Sequence, residues 1–155
     1  MTLILRPLYR FVQIDNRCRL LVIEAAALLA LMRLSLIFLS FRQIARRLGG
    51  LATPRDACAR TAGSERRRDQ ARLAAEIGWA VTRAARYAPF KAVCLPRATA
   101  ARIMLKRRGI GSVLHFGARK GLDKPIDAHA WLDAAGVEVT GYPVDNSFAE
   151  IACFM

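Results

Sequence analysis

The spacing of apolar residues changes once along this chain, near Gly111, and that change restricts the fold more than any other feature. Before it, three segments read as helices. Residues 16 to 48 start at a potential cap, Asn16, and stop at Gly49-Gly50. Residues 64 to 87 start at Ser64 and carry a buried stripe of Leu73, Ile77, Ala80, Val81 and Ala84. Residues 94 to 108 hold Pro96 in the first turn, where its missing N–H costs nothing, and end at Gly109. Residues 51 to 63, with Pro54 and Gly63, read as a connection. After Gly111 the period is two: Ser112 to Arg119, Ile126 to Ala134 and Val137 to Tyr142 read as strands, the last two joined by a tight turn at Ala134-Ala135-Gly136. Helices first and strands afterwards predict an α+β fold with an antiparallel sheet.

A chain of 155 residues that is 54% hydrophobic has enough apolar surface to fold, and its length suits one compact unit. The expected organisation is an N-terminal helical segment, 1 to 63, packed with a core, 64 to 155. The 25 Lys+Arg against 12 Asp+Glu give a net charge of +13. All but Lys91, Lys106, Lys120 and Lys124 of the basic residues are arginines, whose planar forks suit carboxylate or phosphate partners. Nucleic acid, anionic membranes and acidic peptides all fit that charge. Against a nucleic-acid module, aromatics are sparse and are not interleaved with the arginines, and no nucleic-acid motif occurs. Runs such as Arg66-Arg67-Arg68 read as solvated faces.

The four cysteines, Cys18, Cys58, Cys94 and Cys153, are scattered and form no CxxC or His/Cys cluster, so neither zinc nor a disulfide framework is indicated. No secretory signal is expected in Met1 to Arg10, and the cytoplasm is the expected compartment. The apolar run from Leu20 to Ser40 has the length of a membrane span, but Glu24 and Arg33 leave only eight uncharged residues between them. Charges at such depth cost roughly 2.5–3.5 kcal/mol each. A long buried helix is expected, with peripheral membrane contact as the alternative.

Cys94 is the cysteine placed for chemistry. At a helix N-terminus it meets unpaired N–H groups and the positive dipole end, which favour a thiolate. A nucleophilic thiol also needs a base, and His129 lies on the central predicted strand. Alone, each has a plainer reading: Cys94 as a small buried hydrophobe and His129 as one of a half-exposed row with Trp131 and Asp133. His115, on the preceding strand, is a rival base.

Three runs, Cys94-Leu95-Pro96-Arg97-Ala98, Leu105-Lys106-Arg107-Arg108-Gly109-Ile110 and Ala128-His129-Ala130-Trp131-Leu132-Asp133, resemble in order the leader peptidases of lasso-peptide biosynthesis. Phe116-Gly117-Ala118-Arg119 and the first helix through Leu48-Gly49 extend the likeness over nearly the whole chain. These enzymes are transglutaminase-like cysteine proteases, related in fold to papain. The resemblance implies a nucleophile-bearing helix packed on an antiparallel sheet, Cys94 as nucleophile, His129 as general base and acid, and an acidic third residue. Here the sequence departs from the pattern. The position facing His129 across the hairpin, about twelve residues on, is Gly141, flanked by Thr140 and Tyr142. Asp145 is the nearest downstream carboxylate and the expected third member, with a backbone carbonyl as the alternative. Asp133 lies roughly 13 Å along the same strand, a poor orienter.

The resemblance further implies hydrolysis of one bond between leader and core of a ribosomally made precursor, with no cofactor. Some relatives carry a leader-recognition module with a β-hairpin. Residues 1 to 60 show no strand alternation, so a separate recognition protein and the ATP-dependent macrolactam synthetase are the expected partners. The first helix is expected to pack within its own domain, or else to dock them. The rival functions are a basic nucleic-acid-binding or scaffold module and a Cys-His acyl or glutamine transferase.

Overall fold

The structure, a computed structural model, describes residues 15–38, 51–52, 64–121 and 125–155. The predicted helical stretch 39 to 48, the N-terminal patch of residues 1 to 10, the cap at Ser64 and most of the 51–63 connection lie outside the described residues and side chains. Three helices, α1 (Asn16–Phe38), α2 (Ser64–Tyr87) and α3 (Cys94–Arg107), combine with strands β1 (Leu51–Ala52), β2 (Ser112–Lys120), β3 (Ile126–Ala134), β4 (Val137–Thr140) and β5 (Ala149–Phe154). The sheet order is β1-β5-β2-β3-β4 with every neighbouring pair antiparallel. The fold is α+β: α2 and α3 lie on the sheet, and α1 lies on α2 and α3.

Two strands depart from the sequence reading. Leu51 and Ala52 pair with Phe154 and Cys153, so the supposed connection begins with a strand. β5 carries no alternation because its register slips by one residue opposite Phe116/Gly117, which leaves Ile151 exposed.

α1 buries Leu21, Val22, Ala25, Leu28 and Leu29, one stripe at helical spacing. Leu20, Ile23, Leu31 and Leu34 form a second apolar row, on the opposite face and exposed. That second row leaves α1 apolar on two faces instead of the fully buried helix expected. The cap is Asp15, not Asn16: its carboxylate accepts from the Arg17 N–H at 3.2 Å. Among the described residues no helix is long and apolar enough to cross a membrane. Glu24, a charge that argued against a span, accepts from Arg108 Nη2 at 2.7 Å and Arg107 Nη1 at 3.1 Å, tying α1 to the end of α3. The Arg108 bond outweighs the cost of burial and holds the Glu24 carboxyl below its ordinary range.

α2 buries Ile77, Ala80, Val81 and Ala84, the predicted stripe, with Leu73 packed against it. α3 ends in a Schellman motif. The Gly109 N–H donates to Lys106 O, and the Ile110 N–H to Leu105 O at 3.0 Å, while buried Ile110 and Leu105 join the same core cluster. Arg102 Nη1 donates to Phe154 O at 2.5 Å, fixing α3 to the inner end of β5. The C-terminal half of the helix that carries Cys94 is therefore set by the fold.

Candidate active site

Cys94 is the first residue of α3, and Val93, its N-cap, offers no side-chain acceptor. No acidic residue occupies the first turn. The first-turn N–H groups and the dipole end are thus not neutralised by a cap or a carboxylate of that turn, which leaves them open to a developing oxyanion. The Cys94 side chain is half-buried against the core, and Cys18, Cys94 and Cys153 are all thiols. A cleft of ≈ 510 Å³ opens just ahead of the helix, lined by Arg86, Pro89, Phe90, Lys91 and Arg97 among others. The Nε of Arg97 is buried without a hydrogen-bond partner among the described residues.

His129 lies on β3, which packs against α3. Its neighbours alternate: Ala130, Leu132 and Ala134 enter the core under the helices, while His129, Trp131 and Asp133 take the other face. Nε2 of His129 lies 2.7 Å from the carbonyl oxygen of Gly141. A carbonyl only accepts, so Nε2 carries the proton and Nδ1 the lone pair in the neutral ring. Trp131 stacks on one side of the imidazole at 5.9 Å between centroids, and Phe148 approaches at 5.4 Å. The helix of Cys94 and the strand of His129 meet, but among the described residues no hydrogen bond joins the thiol to the ring.

Gly141 has φ +89°, and a Cβ there would lie 2.6 Å from Ala130 O and 2.8 Å from the Trp131 Cα. Any side chain at this position would be strained and would collide with β3. The chain therefore meets His129 with a backbone acceptor where a carboxylate was sought.

Asp145, the expected third residue, is engaged elsewhere. It accepts from the Ser147 N–H at 2.8 Å and from Arg119 Nη1 at 3.2 Å. The Ser147 N–H first, then the Ser147 hydroxyl and Arg119, hold its carboxyl below the ordinary range. Its link to His129 is indirect: Arg119 lies over the Phe148 ring at 4.5 Å, and Phe148 lies against the imidazole.

Residues 35–153 match the model of the transglutaminase-like superfamily, in the form of the domain found in lasso peptide biosynthesis B proteins. The chain belongs to the transglutaminase-like superfamily. Neither the curated proteins nor the solved structures yielded a match. N-terminal helices packed against a core helix and an antiparallel sheet are consistent with a papain/transglutaminase-like arrangement.

A second constellation on the same face as His129 was not foreseen as a unit. His115 sits between two carboxylates: Nδ1 is 2.7 Å from Glu150 Oε1 and Nε2 is 3.2 Å from Asp133 Oδ2. Tyr142 donates to Asp133 Oδ1 at 2.5 Å. Burial and then Asp133 push the Tyr142 hydroxyl up, so it stays a donor. Asp133, too far along the strand to orient His129, thus orients His115. The sequence offered His115 and Asp133 separately; Glu150, on the strand without alternation, could not be placed beside them. No group of three or more His, Cys, Asp or Glu placed to hold a metal occurs among the described residues.

Proposed function

We propose that this transglutaminase-like protein is a cysteine peptidase that removes the leader from a lasso-peptide precursor before ring closure. The observation that carries the reading is a thiol at an uncapped helix N-terminus, on a helix packed against a strand whose histidine has a fixed tautomer, in a chain of this superfamily. Because Nε2–H is committed to Gly141 O, Nδ1 is the nitrogen left to take the thiol proton once substrate binding brings the two side chains together. The thiolate attacks the scissile carbonyl, and first-turn N–H groups of α3 receive the oxyanion. Nδ1–H then protonates the departing amine of the core, leaving a thioester on Cys94. Water, deprotonated at Nδ1, hydrolyses that thioester and frees the leader carboxylate and the thiol. No step calls for a cofactor. A carbonyl carries only a partial charge, so it stabilises the imidazolium less than a carboxylate does, and more of the thiolate stabilisation falls to the helix end.

Arg97 lines the cleft, where its guanidinium is placed to meet a substrate carbonyl. The reading extends to a cytoplasmic setting, which keeps the thiol reduced, and to two partners: a separate protein that delivers the leader and the ATP-dependent macrolactam synthetase.

The test is mass analysis of precursor incubated with this protein and the leader-recognition protein. Cys94→Ala and His129→Ala are each expected to slow cleavage by about 10³-fold or more. Cleavage that survives either change sinks the assignment, and transfer of the acyl group to an amine in place of water would make the protein a transferase.

A further inference from the structure

The polar face of the sheet couples two histidines through one indole. His115 and Trp131 are directly paired across β2 and β3 and stack at 5.5 Å with planes 3° apart. The other side of the series is the stack of Trp131 on His129. Space for the indole comes from Gly117, where a Cβ would lie 2.8 Å from the Trp131 ring. The backbone of Trp131 in turn lies against Gly141, whose carbonyl holds His129. The residue after Gly141 is Tyr142, tied by its hydroxyl to Asp133, and Asp133 is tied to His115. His115 thus touches both neighbours of the His129–Gly141 bond: Trp131 by stacking, and Tyr142 through Asp133.

Both ring nitrogens of His115 face carboxylates, and both can donate only when the ring is an imidazolium. We propose that His115, as an imidazolium bridging Asp133 and Glu150, is a positioning residue that holds Trp131 and Tyr142 in place and through them fixes the ring of His129 on the Gly141 carbonyl. The proposal rests on the reading of His129 as the catalytic base. The groups around His115 are Asp133 on β3, Glu150 and the buried Cys153 on β5, and Tyr142 after β4, with Glu138 of β4 paired to Asp133. The balance of charge favours the cation. Burial alone would lower the His115 pKa, but the bonds and charges of Asp133 and Glu150 outweigh it and raise it above the ordinary histidine value. Loss of the proton leaves a ring lone pair facing a carboxylate, and the bridge opens on that side.

The chain has two histidines, so imidazole NMR signals are two, and His115→Gln identifies them. The His115 signal should titrate above ~6.5. The His129 signal should show a second inflection at the His115 midpoint. Glu150→Gln, at a side chain 29% exposed, should move both features to lower pH, and Asp133→Asn should do the same if Glu150→Gln folds poorly. In precursor cleavage, kcat should fall about tenfold as pH rises through that midpoint, with KM steady. Glu150→Gln should carry this fall to lower pH. A His129 signal with no inflection at the His115 midpoint overturns the proposal, and so does a kcat profile that Glu150→Gln leaves in place. An inflection present with no cleavage at any pH supports the coupling and sinks the peptidase reading instead.

Discussion

The two faces of β3 are held by different physics. Ala130, Leu132 and Ala134 enter a core made by α2, α3 and the sheet, where burial is non-directional and shape decides. On the other face His129, Trp131 and Asp133 are held by named partners: a carbonyl, two rings, a hydroxyl and an imidazolium. Leu132 and Asp133 are neighbours in sequence, yet a change at one should be felt as lost volume and at the other as lost bonds.

Substitution at these two positions is the sharpest way to break the comparison. Leu132→Ala, at a fully buried side chain, should cost about 2–5 kcal/mol in chemical denaturation, with no change in how stability varies around neutral pH. A cost under 1 kcal/mol would mean that the helical layer is not closely packed on β3. Asp133→Asn keeps the volume and should cost less, about 1–3 kcal/mol, by weakening the bonds to His115 and Tyr142. Its signature is pH dependence. The folded His115 pKa is raised, so its contribution is complete below about 6.5 and is lost as pH rises through the folded value. Denaturation midpoints of the parent protein should therefore decline as pH rises through the folded His115 value. In Asp133→Asn that decline should begin at lower pH and be shallower.

A smaller effect belongs to the join between α1 and α3. The folded Glu24 carboxyl is depressed, so its contribution is complete above the ordinary value of 4.5 and is lost as pH falls through the folded value. Arg108→Ala should cost about 1 kcal/mol near neutral pH and flatten the acid limb of the stability profile. Smallest of all, Asp145→Ala should change the cleavage rate within about twofold, because that carboxylate is exposed and pairs with Arg119. A loss comparable to that of His129→Ala would instead make Asp145 the orienter of His129 in the proposed peptidase.

Legibility followed the range of the signal. Helices with a local stripe, such as Ile77, Val81 and Ala84, and strands with alternation, such as β3, stood out because each pattern is complete within a few turns or pairs. β1 and β5 did not. Two residues have no pattern, and a register slip at Gly117 removes the alternation of β5. In the candidate site, Cys94 and His129 were readable as residue types in place, and hairpin counting pointed to Gly141 opposite the histidine. That the acceptor is the glycine's own carbonyl could not be read from side chains, because a backbone group leaves no mark in the sequence. The His115 bridge was hidden for the reason β5 was, since one of its two carboxylates is Glu150.

The strand order also sets an order of assembly. β2, β3 and β4 follow one another along the chain as a meander, so their pairing closes short loops at little entropic cost. β5 inserts beside β2, and β1 then joins β5 by pairing Leu51 with Phe154, about a hundred residues apart. Two residues of ladder are a small return for so long a closure. β1 is therefore the last piece to dock and the first to let go, while His129 and Gly141 sit on the early, local meander and keep their geometry when that far edge opens.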